Sequence, residues 1–486
     1  MTPGMASRRV AEWVHDVGWE DLSATVRCQA VRCLLDLCGS AIGGSRTRVA
    51  RIAAEYARAA HGTGSATIVG QSGGSSAVGG ALANGFAASA LDVDDGYRPV
   101  KGHPGAIVFP SVLAAAEQVR ATGADFLLAL VIGYEVAMRA GLILHPLYDF
   151  YHGSGAWGPI GGAAGAARML GLDVERTWQA LGIAEFHAPM TPEMRSVEHP
   201  SMLKDGIGWG AMVGLASAQL AAHGFTGIPS LFDSPPGEGQ LPGAAGERIV
   251  PNGLVESLGH DYLMLDVYYK PYACCRWAQP AIDGALQAVR ALGVEASDVA
   301  RVRVHTFEAA LHLGRAHLPG IPFTAIRPRT TEEAQFSVAW PVAAALIDGA
   351  VGPEQILEAA LARRELRELA ARIELAPDAE LEACFPTRAL ARVVVETFDG
   401  RSASSAVLAA RGDGHTPLSD VALLDKLAGL AAPVLGAERT ARLADVIQAL
   451  PSALDLTEFT SLLGAAEPVG AGEIRPRPAT LTVGGF

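Results

Sequence analysis

Hydrophobic periodicity switches twice along this chain, and the two switches restrict the architectures open to it. Up to about residue 265, apolar residues recur at helical spacing. Asp21-Leu22-Ser23 can cap a helix running towards Gly39, and a second helix spans Thr47 to Ala60. Helices follow at 110–122, with Pro110 in the first turn, and at 124–141. Residues 158–170 carry Gly158, Gly161, Gly162 and Gly165 among alanines, which lets a neighbouring backbone approach closely. Residues 202–223 put Trp209, Val213, Ala216 and Leu220 on one helical face and stop at Gly224. Beyond 265 the period changes. Ala300 to Thr306 alternates as a strand does, and Ala391–Thr397 and Ser402–Leu408 read as a hairpin through Asp399-Gly400. Helices are predicted between these strands at 277–292, 332–348 and 353–370, and from Ser419 the helical period returns. The fold expected is therefore mostly α. A large all-helical domain is built from both chain ends, residues 1–267 and 411–486, and a smaller α+β lid domain, 268–410, is inserted into it. The last twenty residues, rich in Pro and Gly, are expected to be extended.

Charge and composition exclude several classes of function. A formal net charge of −13 and the lack of any Lys/Arg-rich run argue against nucleic-acid binding. An anionic substrate would need a local cationic pocket set against that field. The most apolar span, 125–145, contains Glu135 and Arg139, so no membrane helix is expected. Met1 to Arg9 lacks a signal-peptide core, and the chain is expected to be cytoplasmic. Cys28, Cys33 and Cys38 lie five residues apart, a step that turns each side chain by about 140° on a helix. Three thiols pointing three ways cannot share one cluster, and core cysteines are expected.

Two short motifs invite other readings. Gly153-Ser154-Gly155-Ala156-Trp157-Gly158 satisfies the dinucleotide fingerprint, but no convincing strand precedes it. Gly70-Gln71-Ser72-Gly73-Gly74 matches a nucleophile elbow, which makes a serine hydrolase using Ser72 a different-class alternative. Against it, residues 1–64 supply helices where such a fold needs strands.

The chemistry-bearing residues lie apart in sequence. Leu91-Asp92-Val93-Asp94-Asp95 is followed by Gly102-His103-Pro104-Gly105 in a small, apolar neighbourhood. An EF-hand counted from Asp92 would need a chelating Glu where His103 stands, so calcium is excluded. Asp and His among alanines and glycines point to acid–base chemistry, because burial moves their pKa values towards a working range. His152 stands before the Gly/Ala helix, Lys204 at a helix start, and Lys270-Pro271-Tyr272-Ala273-Cys274-Cys275-Arg276 at the domain junction.

Taken together the chain resembles the MmgE/PrpD family, which includes 2-methylcitrate dehydratase, cis-aconitate decarboxylase and iminodisuccinate epimerase. The resemblance rests on Ala83-Asn84-Gly85 leading to Leu91–Asp95, on His103-Pro104-Gly105-Ala106, and on His152 before its helix. It continues through Met202-Leu203-Lys204-Asp205-Gly206, Gly224-Phe225-Thr226-Gly227, Lys270–Arg276 and Glu333-Ala334-Gln335-Phe336-Ser337. It implies a helical domain with an α+β lid, a homodimer, a site between the domains, and neither metal nor organic cofactor. Carried over by position, it implies active-site roles for Asp92, His103, His152, Lys204 and Lys270, with Cys275 where the decarboxylase branch has histidine. Gly96 stands where a threonine is common, and a tyrosine used by the decarboxylase before the Glu-Ala segment has no match.

The expected function is a cofactor-independent lyase that removes a proton alpha to a carboxylate of a small di- or tricarboxylate. Lys204 and Lys270 would hold substrate carboxylates, His103 and His152 would carry protons, Asp92 would orient a histidine or act as base, and Cys275 is a candidate acid for the second face. Dehydration of a 2-methylcitrate type is the first expectation. Epimerisation of an imino- or amino-dicarboxylate and decarboxylation of a cis-aconitate type are the alternatives at the same site. A non-catalytic binding protein is the remaining one.

Overall fold

A computed structural model describes residues 5–148, 150–233, 253–314, 327–413 and 416–464. The C-terminal segment expected to be extended lies outside the described residues. The helical part opens with α1 (Met5–Asp16), α2 (Ala24–Gly44), α3 (Arg48–His61) and α4 (Ala77–Ser89). It continues with α5 (Gly105–Val119), α6 (Gly123–Leu147), α7 (Gly158–Met169), α8 (Val174–His187), α9 (Glu193–Glu198) and α10 (Ile207–Ala222). Hydroxyl caps start several of these. Ser23 Oγ accepts from Val26 N (3.3 Å), Thr47 Oγ1 from Ala50 N (3.3 Å) and Thr122 Oγ1 from Asp125 N (3.1 Å).

Two helix starts differ from expectation. α5 begins at Gly105 with Pro104 as its N-cap, so Pro110 is an interior residue. Burial of the whole run Gly105–Ala116 holds the helix through a proline that cannot donate a backbone hydrogen bond. The segment expected as a helix from 202 is regular only from Ile207, because Lys204, Asp205 and Gly206 all take left-handed backbone angles (φ 47, 57 and 73).

Close packing explains the small residues. A Cβ on Gly161 of α7 would lie 2.2 Å from the Gly133 carbonyl oxygen of α6, and one on Gly214 of α10 would lie 3.0 Å from Gly162 Cα. α7 is thereby clamped between two neighbours. α6 is long and apolar enough to cross a membrane, yet 94% of its apolar window is buried inside the protein, so it is a core helix. Its Glu135–Arg139 ion pair staples a distant segment: Glu135 accepts from Met264 N (2.9 Å), and Arg139 donates to the Leu254 and Asp261 carbonyls (both 2.7 Å).

The α+β part packs α11 (Gln279–Leu292) against a mixed sheet ordered β4-β3-β5-β6. A short hairpin, β1 (Ala66–Thr67) and β2 (Gly74–Ser75), precedes it in the chain. β3 (Val299–Thr306) runs antiparallel to β5 (Leu390–Thr397), with Val302 opposite Val395. β5 continues to β6 (Ser402–Ser404) and, at its other end, to β7 (Leu408–Ala409). β4 (Ile373–Pro377) lies parallel to β3 and was not anticipated, because its five residues follow directly on helical spacing. The helix expected over 332–348 breaks at Phe336 into α12 (Thr331–Gln335) and α13 (Ala339–Asp348). That over 353–370 breaks into α14 (Pro353–Ile356), α15 (Glu358–Leu361) and α16 (Arg364–Ala370). After the short α17 (Ala379–Glu382) and the sheet, the chain returns to α18 (Asp420–Leu435), α19 (Ala437–Ala449) and α20 (Thr457–Leu463).

One hydrophobic core gathers residues from Ala6 to Tyr269 and from Leu423 to Leu463, and a second is built mainly from Tyr272 to Val395. Leu91 and Val93 belong to the second core although their neighbours in sequence belong to the first. Asp92, between them, sits where the two cores meet.

Candidate active site

α4 ends at Ser89, and the turn that follows (Asp92 N to Ser89 O, 3.0 Å) leaves Asp92 with a φ of 51°. Aspartate tolerates this left-handed conformation better than most residues. Its carboxylate accepts from Lys270 Nζ (2.7 Å), which also donates to the Asp92 carbonyl (3.0 Å). Burial alone would raise the Asp92 pKa, but Lys270, Lys204 and His103 outweigh it and hold the group below the usual carboxylate range. Lys270 is fully buried, and the attraction of Asp92 overrides desolvation and keeps it charged. The pair is one ionic unit, and Lys270 is its counter-ion.

His103 lies on the turn that leads into α5. Its backbone N–H donates to Ser154 Oγ (2.9 Å), and its Nδ1 lies 2.5 Å from the Asp95 carbonyl. A carbonyl accepts only, so Nδ1 carries a hydrogen. Asp94 Oδ2 stands 3.5 Å from Nδ1, while Nε2 faces Asp92 Oδ1 and Asp205 Oδ2, each at 3.9 Å.

The left-handed turn Lys204–Gly206 approaches the Gly153–Gly155 loop from the other side. A Cβ on Gly155 would fall 2.9 Å from both the Asp205 and Gly206 carbonyl oxygens. The glycines that mimic a dinucleotide fingerprint are therefore spacers for this turn, and they precede a short 3₁₀ turn, Ser154–Ala156, and α7. Lys204 Nζ donates to Gln335 Oε1 (2.7 Å) and sits 5.3 Å above the Phe336 ring. Gln335 donates in turn to the Ala90 carbonyl (2.9 Å), and its own carbonyl accepts from Cys275 N (3.0 Å). The break between α12 and α13 is the point at which the α+β part grips the Lys204–Gly206 turn.

His152 is placed differently from expectation. It is fully buried, packed against Phe150, His145 and Tyr148, and neither ring nitrogen has a hydrogen-bond partner among the described residues. Burial, then His145 and Lys101, push its pKa down to about 4. Its backbone pairs with Pro192, and Tyr151 O accepts from Glu193 N (2.9 Å). That pairing carries Glu193 to the site.

A cavity of about 260 Å³ lies between the two parts. Asp92, His103 and Cys275 line it, together with Lys101, Glu193 and Asp205. Lys204, Lys270 and His152 are not among its lining residues: Lys270 binds Asp92, Lys204 sits above the Phe336 ring, and His152 is enclosed by Phe150, His145 and Tyr148. Burial, then Asp92, push the Cys275 thiol up, so it stays protonated. A larger, shallower groove of about 1,590 Å³ lies beyond Arg98 and Tyr268, but neither Asp92 nor His103 lines it.

Sequence reasoning missed Lys101 and Glu193 and quoted Asp205 only as part of a motif. The Lys101 ammonium makes no hydrogen bond or ion pair within the described residues, and its Nζ lies 5.5 Å from the Tyr151 ring. The one signal for it was proximity to His103. Glu193 had none. Ser72, by contrast, is exposed at the tip of the β1–β2 hairpin, where Arg58 donates to its carbonyl (2.9 Å). A two-residue hairpin is not the strand-to-helix turn a nucleophile elbow requires, and the hydrolase reading is set aside.

These features define a class: a mostly helical protein whose α+β part closes a small acid–base cavity over a lysine-held aspartate and a histidine. Residues 8–242 match the MmgE/PrpD N-terminal domain and residues 272–451 the MmgE/PrpD C-terminal domain, and the chain belongs to this family. It is 25% identical to "Cis-aconitate decarboxylase-like protein oryM" of Aspergillus oryzae, over 95% of this chain and 97% of that protein. It is also 25% identical to the human cis-aconitate decarboxylase, over 94% of each chain. With the cis-aconitate decarboxylase of Aspergillus terreus it shares 24% identity, over 93% of this chain and 95% of that one.

Proposed function

We propose that this chain is a lyase acting on a small polycarboxylate, and that its reaction is decarboxylation of the cis-aconitate type. Dehydration was the first expectation from sequence, and the full-length similarity to decarboxylases favours the alternative. The observation that carries the catalytic reading is His103 Nε2, set between Asp92 and Asp205 at the cavity wall. Breaking a carbon–carboxylate bond leaves an electron pair on carbon, and water stabilises such a carbanion poorly. The remaining carboxylates of the substrate need cations. Among the described lining residues Lys101 has the uncommitted ammonium, while Arg98 and Arg276 add positive potential with most of their donors bound to protein. The Asp92–Lys270 pair is held ionised beside His103 and stabilises a positive charge on the imidazole when it takes a proton. The cavity is of metabolite size, smaller than most drug-binding pockets.

Dehydration or epimerisation at the same site is supported by one observation. Cys275 lines the cavity where the decarboxylase branch has histidine, so the acid on that face is a thiol instead of an imidazole. Proton NMR in D2O with cis-aconitate, 2-methylcitrate and iminodisuccinate separates the readings. We expect cis-aconitate to be consumed with release of carbon dioxide, and the turnover to vanish in His103→Ala. Consumption of 2-methylcitrate without carbon dioxide would replace decarboxylation by dehydration. Binding without turnover of any of the three would make the chain a binding protein.

A further inference from the structure

We propose that the Glu193–Asp205 carboxyl pair is the cavity's proton store and delivers the proton that replaces carbon dioxide on the substrate. This rests on the decarboxylase reading above. Both side chains line the cavity, and the Asp205 carboxyl lies close enough to Glu193 to act on its charge. Ser196 Oγ donates to Glu193 Oε1 (2.6 Å), and no donor among the described residues reaches the buried Oε2. Two ionised carboxylates side by side repel each other, and no cation pairs with Glu193 among the described residues, so the pair is stable with one proton between the two. Burial and then Asp205 raise the Glu193 pKa well above its ordinary value, which places that proton on Glu193.

The backbone is shaped around this pair. Asp205 is held by three successive left-handed residues, a conformation that costs free energy and persists where the surroundings enforce it. A Cβ at Gly153 would fall 2.4 Å from Glu193 Oε2 and 3.1 Å from the Asp205 carbonyl oxygen. A side chain there would have to displace the Glu193 carboxyl and the Thr191 hydroxyl. The thiol and phenol groups on the wall are weaker acids, since burial raises the Cys275 thiol and the Tyr151 hydroxyl, and raises Tyr268 to about 12.

The step balances. The bond between the substrate skeleton and one carboxylate breaks, carbon dioxide leaves, and the electron pair stays on carbon. That pair takes the proton of Glu193 and forms a C–H bond, leaving Glu193 as a carboxylate. Water returns a proton to the pair before the next turnover.

The test combines an infrared measurement with Glu193→Gln, in which an amide N–H replaces the acid O–H towards Asp205. Wild type at neutral pH should show a protonated-carboxyl C=O stretch that shifts in D2O and is missing in Glu193→Gln. With cis-aconitate as probe, the variant should lose at least ~100-fold in kcat with KM nearly unchanged, and Glu193→Asp should recover part of the loss. A missing infrared band in wild type overturns the proposal, as does a Glu193→Gln enzyme with undiminished kcat. If wild type does not decarboxylate cis-aconitate, the functional reading falls, and the infrared band still decides whether the pair holds a proton. Should Glu193→Gln fail to fold, a shift of the band in Glu193→Asp assigns it instead.

Discussion

Lys270 is a fully buried ammonium whose charge is balanced by Asp92, and its fate shows how the site depends on single residues. Asp92→Asn keeps the shape but leaves that charge uncompensated, and should cost about 3–5 kcal/mol in a urea titration as well as abolishing turnover. Lys101 is the opposite case: exposed and uncommitted, it can be removed without strain. Lys101→Ala should raise KM about tenfold with kcat little changed, the signature of lost uniform binding. His152 makes its contribution through pH. Its folded pKa of about 4 lies below the ordinary histidine value of 6.5, so between these values the unfolded chain binds a proton that the native one does not. Its neutral, buried state therefore supports the fold fully above pH 6.5, and that support is lost as the pH falls towards 4. The loss should be on the order of 2 kcal/mol after solvent screening, and thermal melts of His152→Phe against wild type across this range should show it missing in the variant. Among the residues named from sequence, Asp92, His103 and Cys275 reach the cavity, because each lies on a tight turn beside it. Lys204 and His152 sit behind it for reasons sequence does not carry: Gln335 draws the lysine away, and three aromatic rings enclose the histidine.

Helix caps and alternating strands were readable because they depend on neighbours in sequence. Ser23, Thr47 and the β3 alternation all appear as expected. Elements that depend on distant partners were not. α5 runs through Pro110 because its surroundings bury it, β4 exists because β3 offers it an edge, and the helix over 332–348 breaks where Gln335 meets Lys204. The glycines of α7 belong to both groups: their spacing signals close packing, but the partner, α6, is known only from the fold. Gly161→Val would drive a side chain into the Gly133 carbonyl of α6. It should destabilise the protein by at least ~1–3 kcal/mol, measured by chemical denaturation, without altering the site's polar groups.

At the scale of the whole molecule, two cations tie the parts together. Lys426 of α18 donates to Asp36 Oδ1 of α2 (2.5 Å) and to the Val93 carbonyl (2.6 Å), so the returning end of the chain supports the turn that carries Asp92. Arg98, from the helical part, donates to the Thr387 carbonyl (2.5 Å) and the Pro386 carbonyl (3.0 Å) of the α+β part. Arg98→Ala should speed hydrogen exchange around 387–390 and raise KM several-fold while leaving the melting temperature nearly unchanged, since the lost contacts are exposed. Sequence alone determined the succession of helices and strands, the family, and the tight turns bearing Asp92 and His103, because periodicity, capping and turn chemistry are local. Only the tertiary structure decided that Lys270 neutralises Asp92, that His103 presents Nε2, and that Glu193 meets Asp205 beside it. Those relations are contacts between segments up to 178 residues apart, and they exist only once two hydrophobic cores close against each other.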